Sequence, residues 1–318
     1  MTGNGFRLWI VLASLAACAP MALAAEAPSY TRTEDVVYGR KFGTALTLDV
    51  FAPKQKANGA AVIMVVSGGW FSSHEAINAG AFQELLRRGY TVFAVVHGSQ
   101  PRFTIPEVIE DMHRSVRFIR THAKRFGIDP DRLGITGGSA GGHLSLMMAT
   151  AGRPGKPEAK DPVDRASSRV QAIACFFPPT DFLNYGQEGR DVFKALEAEL
   201  RPFNAPFDFH QFDEGSRRFL PIQDLEKRRQ IAREISPITH VTPDDPPALI
   251  LHGNADKLVP IQQAEVLQRR FEACRVPFKL VVREGAGHGW PRLGDDMAII
   301  ADWFDTHLKK PAATNEAK

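Results

Sequence analysis

Cysteine is scarce in this chain: its 318 residues hold three, Cys18, Cys175 and Cys274. So few cannot build a disulfide framework, and neither a paired C-x-x-C nor an H-E-x-x-H is there to hold a metal. No cofactor or metal is therefore expected. An excess of charge of one sign is missing too, because 39 basic residues meet 36 acidic ones for a net +3. Positive charge gathers only in doublets such as Arg228-Arg229 and Arg269-Arg270. Those suit solvated helix faces, so nucleic acid is not an expected partner. No internal repeat is evident. The one long apolar run, Leu8 to Leu23, is short for a membrane span and is interrupted by Pro20.

What is present is globular composition, 44% apolar and 24% charged, enough to bury a core. Length alone suggests about two domains of ~150 residues, but one large α/β core with an insertion fits the order of elements better. Arg7, the apolar run and Ala22-Leu23-Ala24 read as a secretory signal peptide over residues 1–25, with export to the periplasm or the medium. A second reading stays open. Leu15-Ala16-Ala17-Cys18 resembles a lipoprotein lipobox, and membrane attachment is expected only with lipid on Cys18. Export would permit a bond between Cys175 and Cys274, but Cys175 lies in the apolar run Ala172–Phe177, where a buried free thiol is the simpler state.

Apolar runs at Ala60–Val66, Tyr90–Val96, Val170–Phe177 and Ala248–His252 predict strands covered on both faces. Arg132–Thr136 and Phe278–Val282 add two more, and Thr44–Phe51 alternates like a half-exposed strand. Helical patterns lie between them, at Phe82–Leu86, Pro106–Phe126, Ala140–Ala151, Ile261–Cys274 and Asp295–Leu308. This is the rhythm of βα units around a mostly parallel sheet. The rhythm fails over about 181–243, where charged helical segments (Val192–Leu200 and Gln223–Ile235) flank an irregular piece bearing Phe203, Phe207, Phe209, Phe212 and Phe219. That stretch reads as a cap inserted into a domain spanning 26–310, and the polar tail 311–318 reads as disordered.

Chemistry concentrates in three loops. Gly137-Gly138-Ser139-Ala140-Gly141 is a G-x-S-x-G sequence between a strand and a helix, the setting in which a serine is exposed on a sharp turn as a nucleophile. Serine needs a base, because its hydroxyl must lose a proton during attack. Asp256 follows the strand Ala248–His252, and His288 sits in Gly285-Ala286-Gly287-His288-Gly289 after the last strand. The chain order Ser, Asp, His and the post-strand positions make Ser139, Asp256 and His288 the candidate nucleophile, orienting acid and base. Asp244 and Asp245 compete for the acid's role, and His143 reads as a packed or surface residue of the helix after Ser139. Val65-Val66-Ser67-Gly68-Gly69-Trp70 follows an early strand; with Ala140 N–H, the backbone N–H groups of Gly68 and Gly69 are candidate oxyanion donors.

These residues make the chain resemble the α/β-hydrolase superfamily, and within it the carboxylesterase and acetyl esterase group of hormone-sensitive-lipase-like and feruloyl-esterase-like enzymes. The resemblance runs from about Tyr38 to His307. It rests on Ile128-Asp129-Pro130-Asp131-Arg132-Leu133-Gly134, Gly138-Ser139-Ala140-Gly141-Gly142-His143-Leu144, His252-Gly253 with Asp256 and Val259-Pro260, and Gly287-His288-Gly289. It implies an eight-stranded-type, mostly parallel sheet flanked by helices, with a helical cap. The implied activity is hydrolysis of small or medium acyl esters, on small molecules or linked to carbohydrate, with Trp70 near the substrate. The group's oxyanion loop reads His-Gly-Gly-Gly, often followed by Trp; Val66 and Ser67 replace its histidine and first glycine. A prolyl-oligopeptidase-type peptidase shares the triad order but usually carries a propeller domain for which this chain has no room. A non-catalytic binding protein of the same fold would show a broken triad.

Overall fold

The computed structural model describes residues 29–190, 192 and 210–309. The expected signal peptide, Cys18, most of the helical segment near 192–200, Phe203, Phe207, Phe209 and the polar tail lie outside the described residues.

Eight strands form one sheet: β1 (Tyr30–Lys41), β2 (Thr44–Pro53), β3 (Ala61–Val66), β4 (Thr91–Val96), β5 (Leu133–Thr136), β6 (Ala172–Phe176), β9 (Ala248–Gly253) and β10 (Phe278–Arg283). Their order is β1-β2-β4-β3-β5-β6-β9-β10; β2 pairs antiparallel with both β1 and β4, and the other pairings are parallel. Alternation along the parallel strands explains the continuous apolar runs. Ala61, Ile63, Val65, Phe93, Val95, Ile173 and Ile250 point into one core. Val62, Val66, Val92, Ala94, Ala172, Leu249 and Leu251 point into the other. Helices α1 (Gln83–Arg87) and α7 (Met297–Leu308) cover the second face. Helices α2 (Ile105–Thr121), α4 (Ala140–Thr150) and α6 (Gln262–Ala273) cover the first.

α2 starts where a capping box forms between Thr104 and Glu107, and Pro106 fits its first turn. The helix expected to run on to Phe126 instead breaks at His122, which leaves helical geometry (φ −101°, ψ 18°) before a short α3 (Ala123–Phe126). The His122 ring Nδ1 lies 2.8 Å from the Phe118 carbonyl, so the side chain competes with the backbone for that acceptor. β1 was not anticipated. It is an edge strand, mostly exposed and with register shifts at Thr33/Val36 and Val37/Gly39, so it carries no clean alternation.

Between β6 and β9 the inserted stretch holds a hairpin, β7 (His210–Asp213) paired with β8 (Arg218–Pro221), and then α5 (Leu225–Glu234) capped by Asp224. Part of the piece read as irregular therefore pairs as strands, and the charged segment after it is helical as expected. Cys175 and Cys274 are both free thiols, and burial pushes the Cys175 thiol up.

Candidate active site

β3 lies between β4 and β5, so the chain leaves β3 toward one side of the sheet and later returns to its other side. That reversal opens a crevice at the carboxyl ends of β3 and β5. The loop after β3 and the turn after β5 both lie there.

Ser139 joins β5 to α4 with φ 53° and ψ −120°, a conformation that side chains avoid and that persists only when its surroundings enforce it. The enforcement is visible. Ser139 N–H donates to the Phe176 carbonyl (3.0 Å), and Phe176 N–H donates to the Gly137 carbonyl (3.0 Å), tying the turn to the end of β6. The flanking glycines are required by contact. A Cβ on Gly137 would meet the Gly141 backbone at 2.6 Å, and one on Gly141 would meet the Val65 carbonyl oxygen at 2.8 Å. α4 can therefore begin beside the β3 loop, and every residue of the helix from Ala140 to Thr150 is buried.

Asp256 and His288 come from loops after β9 and β10, and the structure brings both to Ser139. His288 Nε2 is 2.9 Å from Ser139 Oγ, and His288 Nδ1 is 2.7 Å from Asp256 Oδ2. The other Asp256 oxygen accepts the N–H groups of Leu258 and Val259, each at 2.9 Å. Burial opposes the Asp256 charge, but hydrogen bonds with His252, His288 and Val259 N–H outweigh it and hold the carboxyl well below the usual carboxylate range. Asp244 and Asp245 do not reach the site: Asp244 pairs with Arg169, and both aspartates bond Thr242.

Residues that the sequence did not single out fix the two loops. Asn254 N–H donates to the Arg283 carbonyl (3.2 Å), and its Oδ1 accepts Gly285 N–H (2.8 Å), lacing the acid loop to the histidine loop. Ala255 N–H donates to the Ala286 carbonyl at 2.9 Å. The Phe177 ring stands 4.5 Å from the His288 ring and meets Trp290 edge-on, while Trp290 Nε1 donates to Asp296 (2.8 Å). Nothing local marks Phe177, which is the second of two adjacent aromatics ending an apolar run. Asn254, next to the acid, was findable in principle as a short polar side chain in a turn.

The oxyanion loop needs a correction. Gly68 and Phe71 exchange backbone hydrogen bonds of 3.0 and 2.9 Å, so Gly68 N–H is already engaged. Gly69 (φ 56°) and Trp70 (φ 61°) form the turn between them. Among the described residues no acceptor is seen for Gly69 N–H or for Ala140 N–H, and the latter, at the first position of a helix, has none within it. Trp70 turns inward: its Nε1 donates to His143 Nδ1 at 3.0 Å, and its ring packs against His143 and Phe182. Its N–H is therefore not on offer to a substrate. Ser67, standing where the group has glycine, buries a hydroxyl that finds no partner among the described residues.

Glu34, Asp49 and His74 lie close enough to hold a cation. Arg32 already occupies that position, its Nε 2.7 Å from Asp49 Oδ2 and its Nη1 3.2 Å from Glu34. This makes the group an ion-pair cluster. No helix among the described residues is long and apolar enough to cross a membrane.

Residues 48–271 match the family model described as BD-FAE. Among curated proteins, the chain is 31% identical over 239 residues to the probable carboxylic ester hydrolase LipM of Mycobacterium tuberculosis, covering 74% of this chain and 50% of LipM. It is 26% identical over 269 residues to esterase LipC of the same organism, covering 83% and 61%. The chain thus spans about half the length of the curated relatives it matches. Among solved structures, a truncated carbohydrate esterase from gut microbiota superposes with a TM-score of 0.67 at 24% identity, covering 89% of this chain and 98% of that one. A thermophilic esterase of Thermogutta terrifontis does so with a TM-score of 0.67 at 23% identity, covering 91% and 96%. At these identities the likeness establishes the fold, an α/β-hydrolase sheet with flanking helices.

Proposed function

We propose, from the premise that the chain belongs to the BD-FAE family in the esterase group of the α/β-hydrolase superfamily, that it is a serine hydrolase of carboxylic esters with small or medium acyl groups. One observation carries the reading: the unbroken hydrogen-bonded series from Ser139 Oγ through His288 to Asp256, with spacings of 2.9 and 2.7 Å. His288 takes the Ser139 proton as the hydroxyl oxygen attacks the ester carbonyl, and Asp256 fixes the imidazole with its proton on Nδ1. The tetrahedral oxygen gathers negative charge, which Gly69 and Ala140 N–H groups stabilise. His288 returns the proton to the departing alcohol. Water then attacks the acyl-serine by the same route and releases the acid.

Small-molecule and carbohydrate-linked esters are the proposed substrates. The names of LipM and of the gut carbohydrate esterase support that class for those proteins. Hydrolysis of p-nitrophenyl acetate, butyrate and decanoate by the purified chain tests the reading. Acetate and butyrate should turn over faster than decanoate. A folded protein inert toward all three would refute it, and a preference for decanoate would replace esterase with lipase.

Export is part of the proposal. Arg7, the run Leu8 to Leu23 and Ala22-Leu23-Ala24 support removal of a signal peptide ending at Ala24 or Ala25. Amino-terminal sequencing of the protein recovered outside the cytosol should start at Ala25 or Glu26. A lipid-modified Cys18 at the terminus would instead establish the lipoprotein route, and full-length protein confined to the cytosol would overturn export.

A further inference from the structure

We infer that His143 is a positioning residue for the oxyanion loop, locking Trp70 in a left-handed conformation so that Gly69 N–H faces the site. The inference rests on the nucleophile and oxyanion donors of the reading above, and adds to them a part that no triad residue supplies.

The turn Gly68–Phe71 has positive φ at both central residues, 56° at Gly69 and 61° at Trp70. Hairpin turns of this kind favour Asn or Gly there, and a bulky residue at positive φ is an outlier. Something other than local preference must hold Trp70. Its carbonyl accepts Gln100 N–H (3.2 Å), and its indole N–H donates to His143 Nδ1 (3.0 Å). His143 Nε2 is 2.7 Å from the Ile235 carbonyl, which can only accept, so that nitrogen carries the proton and Nδ1 is left as the acceptor. The imidazole is wholly buried, and burial pushes it down to about 4, so it stays neutral in this tautomer. His143 N–H donates to the Ser139 carbonyl (2.9 Å), one turn into the elbow helix. One ring thus joins the nucleophile's helix, the oxyanion loop and the end of the cap, and Phe182 packs on both rings at 5.3 and 5.9 Å.

Without the tie, Trp70 can leave positive φ and carry Gly69 N–H out of place. The loss would fall on the transition state, where the oxyanion exists, and not on ground-state binding. Trp70→Phe keeps an aromatic ring and removes the donor. Its kcat should fall roughly 10–100-fold, with KM changed less than about twofold. Combining it with His143→Leu should cost little more than either change alone, since both cut one interaction. His143→Asn keeps an acceptor near the Nδ1 position and should recover most of the rate that His143→Leu loses.

Labelling of Ser139 by a fluorophosphonate separates this inference from the esterase reading. The reagent builds negative charge on an oxygen against the same donors, whatever the natural ester. Slower labelling of Trp70→Phe and His143→Leu, but not of His143→Asn, supports the inference. Wild-type labelling rates in all three overturn it, as would a change in KM alone. A wild type that labels but cleaves no ester would sink the esterase reading and leave this one standing.

Discussion

Ser139→Ala is expected to lower kcat by roughly 10⁶-fold with the fold intact, and adding His288→Ala to it should lower the rate hardly further. The two residues act as one unit. Without the hydroxyl there is no acyl-serine, so the base has no proton to take, and what survives is the modest catalysis of binding and oxyanion donors. Steady-state hydrolysis of p-nitrophenyl butyrate by both variants checks this, with circular dichroism confirming that they fold. Turnover above one hundredth of wild type in Ser139→Ala would remove Ser139 from the mechanism. The variants also test the strain at the turn. Ser139 holds φ 53°, which alanine tolerates no better than serine, whereas glycine adopts it freely. Ser139→Gly should therefore melt above Ser139→Ala, although both are inactive. Equal melting temperatures would mean the surrounding hydrogen bonds leave no strain to relieve.

Stability is expected to fall steeply between pH 6.5 and pH 4. Burial pushes His97 and His143 down to about 4 and His113 down to about 3. The sign follows from where protons bind. Above the unfolded histidine pKa of ~6.5 both states are neutral and their contribution is complete. Below it the unfolded chain takes up protons that the folded interior refuses, until pH drops through the folded values. At pH 5 each such histidine removes about 1.4 kcal/mol per pH unit, so three remove about 4. Asp111 and Asp245 work the other way, because burial raises both carboxyls, Asp111 despite the Lys41 ammonium beside it, but they are two groups against three. Since domains hold only ~5–15 kcal/mol in reserve, acid unfolding should set in before pH 4. Urea midpoints measured from pH 7 to pH 4.5 decide the matter. A flat profile would show that these imidazoles accept protons in the folded state.

Much of the fold was legible because a sheet covered on both faces demands uninterrupted apolar strands. β3, β4, β6 and β9 are such runs, and each lies within about two residues of its expected bounds. The exposed edge strand β1 and the cap hairpin were not legible. β1 is mostly exposed and so imposes no strong pattern on its residues, and the hairpin strands, four residues each, are too short to show a period. His122 defeated a helical period that was otherwise correct, since periodicity records which side chains face the core and not which carbonyl a side chain will take.

The sequence by itself determined the chemical parts and their order: a serine between close-packed glycines after one strand, then an aspartate and a histidine after two others. Glycines at 137 and 141 reflect backbone contacts of 2.6 and 2.8 Å that any side chain would block, and such a constraint is written directly in residue identity. Only the tertiary structure decided which groups are free to act. It turned the Trp70 indole inward onto His143 and tied Asn254 across two loops. Hydrogen-bond partners distant in the chain are chosen by how the strands stack side by side, and no local pattern in the sequence records that choice.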